Sequence, residues 1–347
     1  MIDLCGLTEP ELVSAVVALG EKPYRARQLM HWVYGRRVFD FERMTDLPAQ
    51  TRQRFAGEFR ILSTHLAERV LDPDGTVKLL VELADGHGIE CVLIPQGPRR
   101  AGCVSTQVGC GVGCRFCASG MGGLVRNLSP AEIVEQVLHL EAASGGSTRL
   151  DNLVFMGVGE PMANYEALVQ SIRVLNDPHG LGLAARRMTV STVGIPGTIE
   201  RLAEEGLQVN LAVSLHAPDD ATRRAIVPRT GLMTVSELVG AAQLYRERTG
   251  RDVTFEYVII ANVNDSVVHA RRLARLLTGK PATVNVIELN EVSELAFGGP
   301  SPAVVHEFIE VLRRAGLNVT HRRRKGIGAR AACGQLRLHR AGGESPS

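Results

Sequence analysis

The sequence predicts an α/β chain: a partial barrel or an open doubly wound parallel sheet, preceded by a small accessory region. Three observations predict it. Beyond residue 95, strand-like and helix-like segments alternate about six times. The first 60 or so residues instead carry apolar positions at helical spacing alone. Glycine is abundant, with 36 of 347 residues, as expected where many strands meet helices through tight turns.

Taken in order, 9–19, 25–34 and 49–55 read as helices, the last punctuated by Asp46 and Pro48. Strands follow at 77–82 and 89–94, after the turn signals Asp72-Pro73-Asp74-Gly75 and Asp85-Gly86. An accessory region therefore covers 1–95. In the core, strands are expected at 152–157, 188–193, 209–214, 253–260, 282–289 and 318–322. Amphipathic helices are expected at 130–143, 165–175, 199–205, 235–248, 266–277 and 303–315. Repeated βα units imply parallel pairing with right-handed crossovers. Six are too few for a complete eight-stranded barrel, and chemistry should collect at the C-terminal strand ends. The core is read as 96–330. The segment 331–347 carries an isolated cysteine and a small, polar tail expected to be disordered.

Composition narrows the class. No stretch approaches the roughly 18 to 20 uninterrupted apolar residues of a membrane span, and residues 1–10 carry no positive-then-apolar signal pattern. A cytoplasmic protein with no membrane partner is expected, and nothing suggests an obligate oligomer. The net charge of +2 conceals an asymmetry: residues 318–347 sum to +6 and the rest to −4. Such a tail is either a solvated charge run or a phosphate contact.

The seven cysteines are Cys5, Cys91, Cys103, Cys110, Cys114, Cys117 and Cys333. An odd count in a long chain argues against a secreted disulfide framework. Three of them crowd into Cys110-Gly-Val-Gly-Cys114-Arg-Phe-Cys117, among glycines that let backbone wrap a compact inorganic body. Structural zinc generally takes two separated Cys-x2-4-Cys knuckles, and no second knuckle appears. Three thiolates on a four-iron cluster leave one iron open.

This spacing, with an aromatic before the last cysteine, resembles the radical S-adenosylmethionine (SAM) signature. The resemblance implies one 4Fe–4S cluster per chain on Cys110, Cys114 and Cys117. SAM would bind the open iron and, on one-electron reduction, yield a 5′-deoxyadenosyl radical. It extends further. Cys103-Val-Ser-Thr-Gln-Val-Gly-Cys110, Gly157-Val-Gly-Glu160-Pro161-Met, Ser214-Leu-His216-Ala-Pro and Ala331-Ala-Cys333-Gly-Gln-Leu are similar to the motif set of the RlmN/Cfr family of RNA adenine methyltransferases. Tyr24-Arg25-Ala-Arg-Gln28 and Met44-Thr-Asp-Leu-Pro48 resemble its RlmN branch. The likeness spans about residues 20–337, and it implies a radical SAM type of partial (βα)6 TIM-like barrel.

It also implies residue roles. Gly159, Glu160, Ser191, Ser214, Leu215, His216 and Asn290 would contact SAM. Cys333 would carry a methyl group taken from one SAM, and the radical made from a second would activate it. Glu90 would remove the ring proton from adenine, and Cys103 would release the product by forming a transient disulfide with Cys333. Read without the family, an isolated cysteine is a small buried hydrophobe, and strand alternation would expose Glu90. The implied reaction is carbon-2 methylation of adenine in 23S ribosomal RNA, with transfer RNA as a second candidate. An electron donor such as flavodoxin or ferredoxin is implied as a partner.

For the RNA, cations at Arg25, Arg27, Arg36, Arg37, Arg99, Arg100, Arg186, Arg187 and 322–325 are candidates for phosphates. Trp32 and Tyr34 are read either as stacking platforms or as core. The chain departs from the family pattern at Glu288-Leu289 and in the run Gly326-Ile-Gly-Ala-Arg330. Two alternatives stay open: carbon-8 methylation, as in the Cfr branch, and a metal-holding RNA-binding protein without catalysis.

Overall fold

The structure is a computed structural model that describes residues 1–145, 149–322, 325–326 and 328–337. The first 60 residues are helical. Helix α1 (Glu9–Ala18) opens on a capping box between Thr8 and Glu11, with a proline in the first turn. Helix α2 (Tyr24–Met30) widens into a π-helical turn over His31–Gly35 that buries Trp32, Val33 and Tyr34. Helix α3 (Ala49–Glu58) follows.

One ten-stranded sheet then dominates the rest, and its spatial order is its chain order. An antiparallel meander comes first: β1 (His65–Leu71), β2 (Val77–Glu82), β3 (Gly88–Gln96) and β4 (Arg99–Cys103). From β4 onward the pairing is parallel, through β5 (Asn152–Phe155), β6 (Met188–Thr192), β7 (Asn210–Ser214), β8 (Val253–Ile259), β9 (Thr283–Glu288) and β10 (Asn318–Arg322). The connecting helices are α4 (Pro130–Ala143), α5 (Tyr165–Asn176), α6 (Thr198–Glu204), α7 (Asp220–Ile226), α8 (Val235–Thr249), α9 (Val267–Leu277) and α10 (Pro302–Arg314). The sequence reading missed β1, β4 and α7. Strand β3 pairs with β4 through Ile94 and Ala101, so the sheet runs unbroken across residue 95.

Local signals explain the helices. Ser129 and Thr234 cap α4 and α8 through capping boxes with Glu132 and Glu237, and Gly250 ends α8 at φ 66°. Helix α10 buries Val305, Phe308, Ile309 and Leu312, one face at helical spacing. Helix α4 is buried on nearly all sides, because strands β2 and β3 pack against it and so does the turn Leu4–Gly6.

Side chains of β3 to β6 and of β8 to β10 face one cavity of about 620 Å3. The sheet therefore curls around a lumen, which decides for the partial barrel. The segment after β10 returns across the open end. Gly326 and Ala329 donate backbone N–H groups to Asp74 and Asp72 in the β1–β2 turn, and Lys325 Nζ reaches Pro95 O. Gly334 and Leu336 accept from Ala118 N–H and the Ser119 hydroxyl. Among the described residues no helix is long and apolar enough to cross a membrane.

Candidate active site

After β4 the chain enters a two-stranded hairpin, Gln107–Gly109 against Leu124–Asn127, and the cysteine loop is the excursion between its strands. Cys110 N–H bonds Gly123 O at 2.9 Å. Gly109 has φ 75°, and a Cβ there would sit 2.0 Å from Gly123 O; one on Gly120 would sit 2.9 Å from Gly113 Cα. The glycines seen in the sequence thus permit backbone contact inside the loop. Cys110, Cys114 and Cys117 line one cavity of about 160 Å3 and pack against Val112, Phe116, Val193 and Val258.

Burial pushes Cys110 up to about 11 and raises Cys114 and Cys117 as well. Bound iron offsets such a cost by releasing the protons. Three thiols that line one cavity suit a polynuclear cluster, whose ligands bind different irons.

The strand ends meet the same cavity. Gly157 and Gly159 follow β5, Ser191 lies in β6, Ser214 ends β7, and His216 and Asn290 follow β7 and β9; all of them line it. Ser191 and Ser214 hydroxyls lie 3.4 Å apart. His216 has φ 58° and accepts the Val258 N–H on Nδ1, and burial, then Arg223, lowers its pKa to about 3. The ring stays neutral, edge-on to Phe116 at 5.1 Å. Asn290 donates to Cys333 O, while its buried Oδ1 has no partner among the described residues. A buried acceptor left open beside a cavity is where a ligand donor fits.

Two of the expected cofactor residues lie between neighbours that line the cavity, with their own side chains turned to the protein. Leu215 is a core side chain with no exposed surface. Glu160 spends its carboxylate on Val193 N–H and Met162 N–H, bracing the loop after β5 against the end of β6. Neither lines the cavity.

Cys103 and Cys333, 230 residues apart in the chain, both line the 620 Å3 cavity, and Cys333 lines the smaller one too. Both thiols are free. Burial, then neighbouring Cys333, pushes Cys103 up to about 12, against the pull of Arg322. Arg322, at the end of β10, is held charged by Cys333 first and then by Glu256 and Cys103. Glu256 accepts from the Asn285 amide, which in turn accepts from the Thr320 hydroxyl. Ser214, Glu256, Asn285 and Thr320 form one register row across β7 to β10. The sequence reading missed Glu256 and Asn285, because only strand register reveals such a row.

Glu90 corrects an expectation. It is not exposed but 2% accessible, ion-paired to Lys78 Nζ at 2.7 Å and accepting Arg337 N–H at 2.8 Å. The returning C-terminal segment covers that face of β3: Ala329, Ala331 and Leu336 pack with Val92 and Cys103. Lys78, unremarked in the sequence, enters through the β2–β3 register.

Comparison with known proteins agrees with this geometry. Residues 2–61 match the ribosomal RNA large subunit methyltransferase N-terminal domain, and 104–274 match the radical SAM superfamily. A radical SAM methyltransferase from Sphaerobacter thermophilus has the same fold, with a TM-score of 0.93 at 44% identity over 97% of this chain and 99% of that one. A probable dual-specificity RNA methyltransferase RlmN from Moorella thermoacetica is 47% identical over 97% of each chain. One from Rhodopirellula baltica is 46% identical over 92% of this chain and 86% of its own. The chain belongs to the RlmN family. As an RlmN-family protein it is a radical SAM RNA methyltransferase, and its cofactors are a 4Fe–4S cluster and SAM.

Proposed function

We propose that this RlmN-family enzyme methylates carbon 2 of adenine in 23S ribosomal RNA, and also in transfer RNA, through a methyl group carried on Cys333. The observation that carries the reading is the position of Cys333. It stands at the junction of two cavities, one shared with the three cluster cysteines and the other with Cys103. When bound, the cluster and SAM supply one-electron chemistry and the methyl group.

The chain's own residues do the rest. Cys110, Cys114 and Cys117 hold the cluster. Gly159, Ser191, Ser214, His216 and Asn290 surround SAM, and Glu160 and Leu215 fix the loops that carry them. Cys333 presents its methyl carbon to the ring. Glu90, ion-paired with Lys78, takes the ring proton. Cys103 then attacks the Cys333 sulfur, and the new disulfide frees the methylated RNA.

Residues 1–95 form the RNA-binding region of this proposal, 96–330 the catalytic core, and 331–347 the segment that delivers Cys333. Trp32 and Tyr34 are not its stacking platforms: both are buried, and Trp32 donates to Asp46. Tyr24 is exposed, with Arg25 stacked on its ring at 4.9 Å, and takes that role. Arg36 covers Trp32, and Arg37 pairs with Glu141. Arg323 and Arg324 lie outside the described residues, as does the tail from 338. We place the enzyme in the cytoplasm as a monomer served by a flavodoxin- or ferredoxin-type donor.

The test is anaerobic turnover of reconstituted protein with SAM, a reductant and ribosomal or transfer RNA, beside Cys333→Ala. Mass spectrometry should find 2-methyladenosine from the wild type and none from the variant. The 8-methyl isomer would move the enzyme to the Cfr branch, and equal product from Cys333→Ala would remove the cysteine from the mechanism.

A further inference from the structure

Just past the last cluster cysteine the chain exposes aliphatic side chains. Met121, Leu124 and Val125 are 48%, 47% and 40% accessible. Leu124 and Val125 begin the second strand of the hairpin, and Met121 lies in the excursion between its strands. A Cβ on Gly111 would lie 3.5 Å from Leu124 Cβ and 3.0 Å from Arg229 Nη1. Arg229 donates to Gly111 O, and Arg115 N–H donates to Ile226 O, so the segment after α7 packs on the cysteine loop: Ile226 and Val227 are buried against it and Arg229 is exposed. Arg115, Arg224 and Arg229 are exposed and make no ion pair among the described residues. Nearby Arg126, by contrast, is spent on Asp85 and Glu132. The result is a small exposed apolar patch with Arg229 beside it and two further exposed arginines on the loop and helix that meet there.

We propose that this patch is the docking surface for an acidic one-electron carrier protein that reduces the cofactor site. The inference rests on the cluster reading, and it adds the place where the electron enters. Electron transfer between proteins weakens steeply with distance, so a carrier must dock where the surface comes nearest the ligating sulfurs. On the lumen side the cysteines face the cavities and the returning C-terminal segment. On the hairpin side, exposed Leu124 directly follows Gly123, whose carbonyl accepts the Cys110 N–H.

Exposed guanidinium groups outside any ion pair attract an acidic surface and speed its encounter. An apolar centre with a charged rim suits the small interfaces of transient redox pairs. A single-stranded RNA surface would instead offer aromatic rings for base stacking, and no aromatic residue lies between Ala118 and Asn127. Each encounter moves one electron and no atom: the carrier leaves oxidised by one, and the site is reduced by one.

The double variant Met121→Glu/Val125→Glu tests this without touching a cysteine or a cavity residue. Methylation driven by dithionite, which needs no docking, should match the wild type and so reports intact folding. Methylation driven by reduced flavodoxin, used as the acidic carrier, should fall about tenfold or more. Titration of oxidised flavodoxin into cluster-free protein should show a comparable loss of affinity, and added salt should weaken the wild-type complex. Arg224→Glu, which leaves the hairpin intact, should act in the same direction. Unchanged flavodoxin binding in both variants overturns the proposal. So does an equal loss with dithionite and flavodoxin accompanied by weaker RNA binding, which would make the patch an RNA surface. Failure of the wild type to methylate RNA with dithionite would count against the proposed function, while the binding titration would still report on docking.

Discussion

Glu135 has no exposed surface, and yet it is a carboxylate in the middle of α4. It accepts from the backbone N–H groups and hydroxyls of Ser63 and Thr64, the link between the helical region and the sheet. Burial outweighs those donors and pushes its carboxyl from 4.5 up to about 7. The native state therefore holds this proton more tightly than the unfolded chain does. The stability that follows is fully present below pH 4.5 and is lost as pH rises through about 7. Glu135→Gln cannot titrate, so its unfolding free energy should vary less over that window, by ~3 kcal/mol. Urea denaturation of both proteins at the two ends of the window measures it. Equal pH dependence in the two would mean that Glu135 stays ionised throughout.

The cysteine hairpin is the element on which the cofactor depends. Its backbone contact at Gly109 leaves no space for a side chain, and φ 75° alone costs an alanine about 1–2 kcal/mol. Gly109→Ala should fold, because the core lies elsewhere, but should retain well under half of the wild-type iron after anaerobic reconstitution. Iron and sulfide analysis beside Gly240→Ala, where a methyl meets nothing within 4 Å, isolates the effect; full iron in Gly109→Ala would show that the loop yields. The cysteine spacing was legible in the sequence because it is local. Strand β1 was not, since it is exposed along nearly its whole length and its burial pattern carries no alternation. Strand β4 opens on Arg99-Arg100 and reads as a charged turn, although it is the first strand of the parallel run.

At the scale of the molecule, activity requires the chain to return on itself. The β1–β2 turn holds Gly326 and Ala329 by two charge-assisted hydrogen bonds, from Gly326 to Asp74 and from Ala329 to Asp72. Asn290 then grips the Cys333 carbonyl, and Glu90 holds the segment again at Arg337 N–H. Each bond to a carboxylate is worth about 1.5–3 kcal/mol. Asp72→Ala/Asp74→Ala should therefore accelerate amide exchange across residues 328–337 by about tenfold or more while leaving the sheet protected. Mass-spectrometric hydrogen exchange on cluster-free protein reads it directly. Unchanged protection of that peptide would mean that the contacts around Cys333 suffice.

The sequence by itself determined the strand–helix alternation, the glycine-lined cysteine loop and the polar residues at successive strand ends. Those features are written in local periodicity and short spacing. Only the tertiary structure decided that the sheet curls into a lumen, that Glu90 is buried beside Lys78, and that Cys333 meets Cys103 there. It also decided that the Glu160 carboxylate braces two loops, and that Trp32 and Tyr34 are core. Each of these depends on register or on contacts between distant segments. A 230-residue separation between two cysteines leaves no local trace, because the packing that closes it is shared among every strand between them.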